Sequence, residues 1–130
     1  MESWRWKELE GSGTMTETKF TSKLVKELRM RLPGAMIFKH ADGYSAGIPD
    51  ISISWQDKTN WYEAKLIVNK KIFEPLQLAI LKKLFGRYII WDSKKRVGHI
   101  VSAFVAPVDD FGPVYNFNDL VEQVLKEVNP

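Results

Sequence analysis

Cysteine is absent from the chain, which removes disulfide scaffolds, thiolate zinc sites, iron–sulfur clusters and cysteine nucleophiles at once. Oxygen-rich and histidine metal sites are what remain. Long apolar runs are missing as well: the longest are about four residues, as in Tyr88-Ile89-Ile90-Trp91, against the ~20 that a membrane span needs. Residues 1–7, Met-Glu-Ser-Trp-Arg-Trp-Lys, hold no apolar signal-peptide core. These absences predict a soluble, intracellular and cytoplasmic protein with no membrane partner. Internal repeats and low-complexity tracts are absent too. What is present is 130 residues, 45% of them hydrophobic, enough for one domain with a core of its own.

Charge is unevenly placed. The net charge is +3, but residues 1–14 stand at −1 and residues 104–130 at −4. Residues 15–103 carry 16 basic against 8 acidic side chains, or +8, a balance that suits a polyanion such as nucleic acid. Basic solubility alone gives the same balance, so the charge supports a nucleic-acid partner without naming one.

Residues 1–14 end in Gly11-Ser12-Gly13-Thr14 before a second methionine, Met15, and read as a tag and linker or a flexible arm carrying Trp4 and Trp6. Residues 15–130 read as one domain. Phe20, Leu24, Leu28 and Leu32 recur at helical spacing, and Pro33-Gly34 stops the pattern, so a helix is expected over about 16–31. Strands are expected at 35–39, at 49–55 and at 60–68, the last two joined as a hairpin. Pro75 and Gly86 bracket a helix over 75–85. Two more strands follow at 87–91 and 96–105, and a final helix capped by Asn118 carries Val121, Val124, Leu125 and Val128 on one face. The expected order is αβββαββα, a mixed α/β or α+β domain with one central sheet flanked by helices.

The chemistry-bearing residues cluster on the hairpin. Glu63 and Lys65 share one face of their strand, because side chains alternate. With the turn centred on Asp57-Lys58, paired positions sum to 115, so Asp50 is expected opposite Lys65 and Ser52 opposite Glu63. Asp50, Glu63 and Lys65 then converge on one face, whereas a slip of one residue would separate them. Glu17 lies seven residues before Leu24 and points with it toward the sheet, and Gln77 shares a face with Leu81 and Leu84. Three carboxylates against one lysine leave a surplus of negative charge that invites a hard divalent cation such as Mg²⁺. A salt bridge on a solvated sheet face is the plainer reading of the same residues.

Gly47-Ile48-Pro49-Asp50-Ile51 followed by Tyr62-Glu63-Ala64-Lys65 resembles the signature of the PD-(D/E)XK nuclease superfamily. Over about residues 17–106 the chain is most similar to the archaeal Holliday-junction resolvases and the virus-type replication-repair (VRR-NUC) nucleases. The resemblance implies a restriction-endonuclease-like core and a Mg²⁺-dependent endonuclease that hydrolyses DNA phosphodiesters, with Mn²⁺ able to substitute. It casts Asp50, Glu63, the Ala64 carbonyl and Glu17 around the metal, Lys65 as the catalytic lysine, and Gln77 as a helix glutamine often found beside such sites. It also implies a homodimer acting on branched DNA. A homing or restriction-type nuclease with sequence preference is the next reading, and a non-catalytic nucleic-acid-binding module is the rival from another class.

Lys39, His40, Tyr44 and Ser45 in and beside the glycine-containing loop, with Lys70 and Lys71 further on, are candidates for contact with the DNA backbone. Gly43-Tyr44-Ser45-Ala46-Gly47 also spells a hydrolase nucleophile elbow. That device needs a strand before it and a helix after it, and here a strand follows. His99 reads as a packed or surface histidine, and Trp55, Trp61 and Trp91 as core or dimer-interface residues.

Overall fold

The computed structural model describes residues 15–40, 47–68 and 72–130. Helix α1 (Glu17–Arg31) is followed by strands β1 (Met36–Lys39), β2 (Ile51–Trp55) and β3 (Lys58–Leu66). Helix α2 (Pro75–Lys83), strands β4 (Arg87–Asp92) and β5 (Val97–Ser102) and helix α3 (Phe117–Val128) complete the elements among the described residues. The five strands form one mixed sheet in chain order. All neighbours are antiparallel except β3 and β4, which run parallel because α2 carries the chain back between them. This is a mixed α+β architecture, in the order αβββαββα that the sequence predicts.

Each helix starts where a side chain satisfies its free N–H groups or where none is needed. Thr16 accepts from Lys19 N at 3.1 Å to open α1, and Pro75 opens α2 without a donor to leave orphaned. The cap of α3 is Asn116, whose Oδ1 accepts from Asp119 N at 2.8 Å, and not Asn118 as the sequence suggested. The earlier start brings Phe117 into the core beside Trp91. The last strand stops at Ser102 rather than running to Val105, because the chain turns there and Ser102 Oγ takes the N–H of Phe104.

Alternation along the strands sorts the core onto two sheet faces. One face carries Ile51, Ile53, Tyr62, Ala64, Leu66, Ile89 and Trp91 against Phe20, Leu24 and Leu28 of α1 and Leu120, Val121 and Val124 of α3. Phe20 stacks on Trp91 at a centroid distance of 5.3 Å. The acidic C-terminal helix is further tied down by polar contacts: Tyr62 donates to Glu127 Oε1 at 2.9 Å, and Arg87 lies 3.8 Å from the same oxygen. Burial, and after it the charge of Glu127, hold the Tyr62 phenol above its ordinary range.

The opposite face carries Tyr88, Ile90 and Val101 under Leu81 of α2. Gly86 lets the chain pass from α2 into β4 at close quarters, since a Cβ there would stand 2.8 Å from Leu81 Cγ and 2.9 Å from the Trp61 carbonyl oxygen. Backbone cannot yield as a side chain tip does, so Gly86→Ala is expected to destabilise the protein by about 1–3 kcal/mol. Urea unfolding of that variant measures it, and an unchanged midpoint would show that β3 and α2 are free to separate.

Candidate active site

The β2–β3 hairpin turns on Gln56-Asp57, with Trp55 opposite Lys58, so paired positions sum to 113. The register therefore differs by two residues from the one expected. A shift of two keeps every side chain on its face. Continued past Ile51 and Tyr62, it sets Asp50 directly opposite Glu63, closer than the diagonal relation anticipated. Asp50 N donates to Glu63 Oε1 at 3.2 Å, and Ala64 N donates to Asp50 Oδ2 at 3.0 Å.

The same register places Ala64 opposite Pro49. Proline has no N–H, so the ladder has nothing to give the Ala64 carbonyl on this edge. In an extended strand the N–H and C=O of one residue point to the same side, so that carbonyl faces the edge where Asp50 lies. Two carboxylates and a carbonyl oxygen thus share the end of the β2–β3 pair. Lys65 Nζ stands 3.4 Å from Glu63 Oε2, and both residues are buried, at 7% and 4% relative exposure.

Burial and like charge set the protonation of this pair. Desolvation raises the Asp50 carboxyl above its ordinary range, offset in part by the Ala64 N–H and Lys65, and Glu17 adds to the rise. Glu63 is pushed up to about 7, first by burial and then by the charge of Asp50, against the pull of Lys65. One lysine does not balance two acids, one of them buried and the other half-buried.

Glu17 approaches from α1. Its Oε2 accepts from Leu66 N at 3.4 Å, and with Thr18, Thr21, Lys39, His40 and Asp50 it lines a cleft of ≈ 140 Å³ at this end of the sheet. Among the described residues no three Asp, Glu or His side chains form a group that would hold a metal by side chains alone. A cation here would rest on Asp50, Glu63 and the Ala64 carbonyl, with Glu17 at the cleft wall. That donor set is all oxygen, which suits Mg²⁺ or Mn²⁺.

Gln77 lies on α2 one turn before Leu81, and its Oε1 is buried with no hydrogen-bond partner. Lys39 Nζ donates to Ser22 Oγ at 2.6 Å on the α1 side of the cleft. His40 continues the β1 ladder, its N donating to Asp50 O at 2.6 Å, while its Nε2 lies 2.7 Å from Ser52 Oγ. Tyr44, Ser45, Lys70 and Lys71 lie outside the described residues, as do Trp4 and Trp6. His99 is packed, its ring 5.6 Å from that of Phe111 and its Nδ1 3.1 Å from Pro113 O. Trp91 is core, whereas Trp61 is half-buried beneath His40.

Sequence reasoning passed over Tyr88, and it set Ser52 opposite Glu63 where the structure pairs it with Trp61. Tyr88 pairs with Glu63 across the parallel ladder, and its hydroxyl is buried without a partner. Burial, then the Glu63 charge, push its phenol up to about 12. Only the pairing after the α2 crossover brings it there, and no local spacing announces it.

No protein-family model matches the chain, and no curated protein matches it. Among the described residues no helix is long and apolar enough to cross a membrane.

A carboxyl whose folded value lies above its unfolded one binds more protons when folded. Stability then falls as pH rises from the ordinary 4.5 of glutamate to about 7 at Glu63. Glu63→Gln leaves Asp50 and Lys65 as a balanced pair, so in the metal-free protein it is expected to raise Tm at pH 8 by roughly 2–5 °C. The gain should vanish near pH 5, where wild-type Glu63 is already protonated. Calorimetric melting at both pH values measures this, and a variant less stable at pH 8 would show that the ionised pair is stabilising.

Proposed function

We propose that the protein is a Mg²⁺-dependent endonuclease acting on DNA phosphodiesters, with the restriction-endonuclease-like core that the motif resemblance implies. The observation that carries the reading is the meeting of Asp50 and Glu63 at a strand end, each accepting a backbone N–H, with Lys65 3.4 Å from Glu63. A bound Mg²⁺ would supply Lewis-acid polarisation of the scissile phosphate and a bound water more acidic than bulk water.

The chain's own residues have separate tasks in this reading. Asp50 and Glu63 carry the negative charge that draws the cation and, being fixed by Ala64 N and Asp50 N, do not reorganise to do so. Lys65 is held beside them by burial, where an ammonium stabilises negative charge developing on the phosphate oxygens as the attacking oxygen bonds to phosphorus and the leaving oxygen departs. Lys39 and His40 flank the cleft on the β1 side, placed to receive the backbone of the substrate strand. The basic body of the chain favours encounter with DNA. Cutting both strands of a junction requires two such sites, so the reading includes a two-fold homodimer and a structure-specific substrate.

The test is incubation with Mg²⁺ or Mn²⁺ and a four-way junction, a flap, linear duplex, single strand and plasmid. Cleavage is expected, favouring branched substrates, and Asp50→Asn and Lys65→Ala are each expected to slow it by about 10²-fold or more. Cutting at one plasmid site would redirect the reading to a homing or restriction-type enzyme. Binding without any cleavage would leave a nucleic-acid-binding module and overturn the enzyme.

A further inference from the structure

We infer that the sheet face beside the carboxylates carries a stacking shelf for one unpaired nucleobase next to the cut, an inference that rests on the nuclease reading above. On this face the register of β1, β2 and β3 lays side chains in rows. His40, Asp50 and Glu63 form the row at the strand end, and Phe38, Ser52 and Trp61 form the next. Successive rows on one face are about 7 Å apart, comparable to one nucleotide step of an extended strand.

The rings of the second row and His40 form a line. His40 lies on Trp61 with centroids 5.6 Å apart and planes 27° from parallel, and Phe38 lies 6.4 Å from His40. His40 is fixed by Ser52 Oγ at 2.7 Å and by its own N–H on Asp50 O at 2.6 Å. Trp61 is backed by the apolar cluster under α2. The ring orientations are therefore set by protein contacts. Helix α2 covers the β3 to β5 side of this face, while on the β1 side Phe38 is 49% exposed.

The occupant follows from what the shelf adjoins. A phosphate held at the Asp50 row, with Lys39 at the cleft to balance it, places the neighbouring base over Phe38 and His40. Aromatic faces bind bases without regard to sequence. A base inside a duplex is already stacked on both sides and cannot offer a face. The shelf therefore selects substrates with an unpaired nucleotide at the cut, as in a flap, a bulge, a single strand or a branch point whose terminal base pair has opened.

The experiment uses the full chain with Ca²⁺ to hold complexes uncut, and oligonucleotides carrying 2-aminopurine either at an unpaired position beside a branch or within duplex. Wild type and Phe38→Tyr are expected to quench the unpaired probe. Phe38→Ala should abolish the quench and weaken binding of that substrate by about tenfold to a hundredfold, while duplex binding stays as it was. Equal binding and equal quenching by Phe38→Ala would overturn the shelf and leave the nuclease reading standing. Loss of a dimer in Phe38→Ala, seen by sedimentation, would overturn it by making this face a protein interface. Wild type that binds none of the DNAs would overturn both.

Discussion

A buried and a half-buried carboxylate facing one lysine are the constraint around which this end of the molecule is organised. Asp50 and Glu63 are brought together by the hairpin register, and each has its proton affinity raised by burial. A pair of this kind is a local liability for the metal-free fold. It is held in place because the apolar side chains on either side of it cannot move: Ile51 and Ala64 belong to one core cluster, and Tyr88 and Ile90 belong to the other. The two hydrophobic layers supply the stability, and the strand end between them carries the strain.

The same register explains the neighbourhood. The β2–β3 ladder ends at Ile51, and beyond it Pro49 has no N–H to offer β3 while the Ala64 N–H donates to the Asp50 carboxylate. Gly47, with φ +88, takes a backbone conformation that residues with a Cβ rarely adopt, and a Cβ there would collide with Ile80 of α2. Gly47 is thereby seated against the helix that bears Gln77. The run of glycine, proline and aspartate is in this way a set of backbone instructions.

Much of this was legible in the sequence, because periodicity and face-sharing survive small errors. The hairpin register differs by two residues: the turn centres on Gln56-Asp57 and not Asp57-Lys58, with Gln56 at φ +58, a conformation glutamine seldom takes, so the residues did not mark its centre. An even shift left Asp50, Glu63 and Lys65 on one face all the same. The start of α3 was misplaced because Asn116 and Asn118 are both good caps, and only the burial of Phe117 decides between them. Tyr88, and the stack of His40 on Trp61, were not legible. They arise where strands far apart in sequence become neighbours, and no local pattern encodes that meeting.

The central claim is that the carboxylate pair is a site for a divalent cation, and paramagnetic broadening tests it most directly. Mn²⁺ added in small amounts to ¹⁵N-labelled protein should erase the amide signals of Asp50, Glu63, Ala64 and Lys65 first, and Mg²⁺ in excess should restore them. Broadening that spares these four residues while it affects the acidic C-terminal helix would contradict the account.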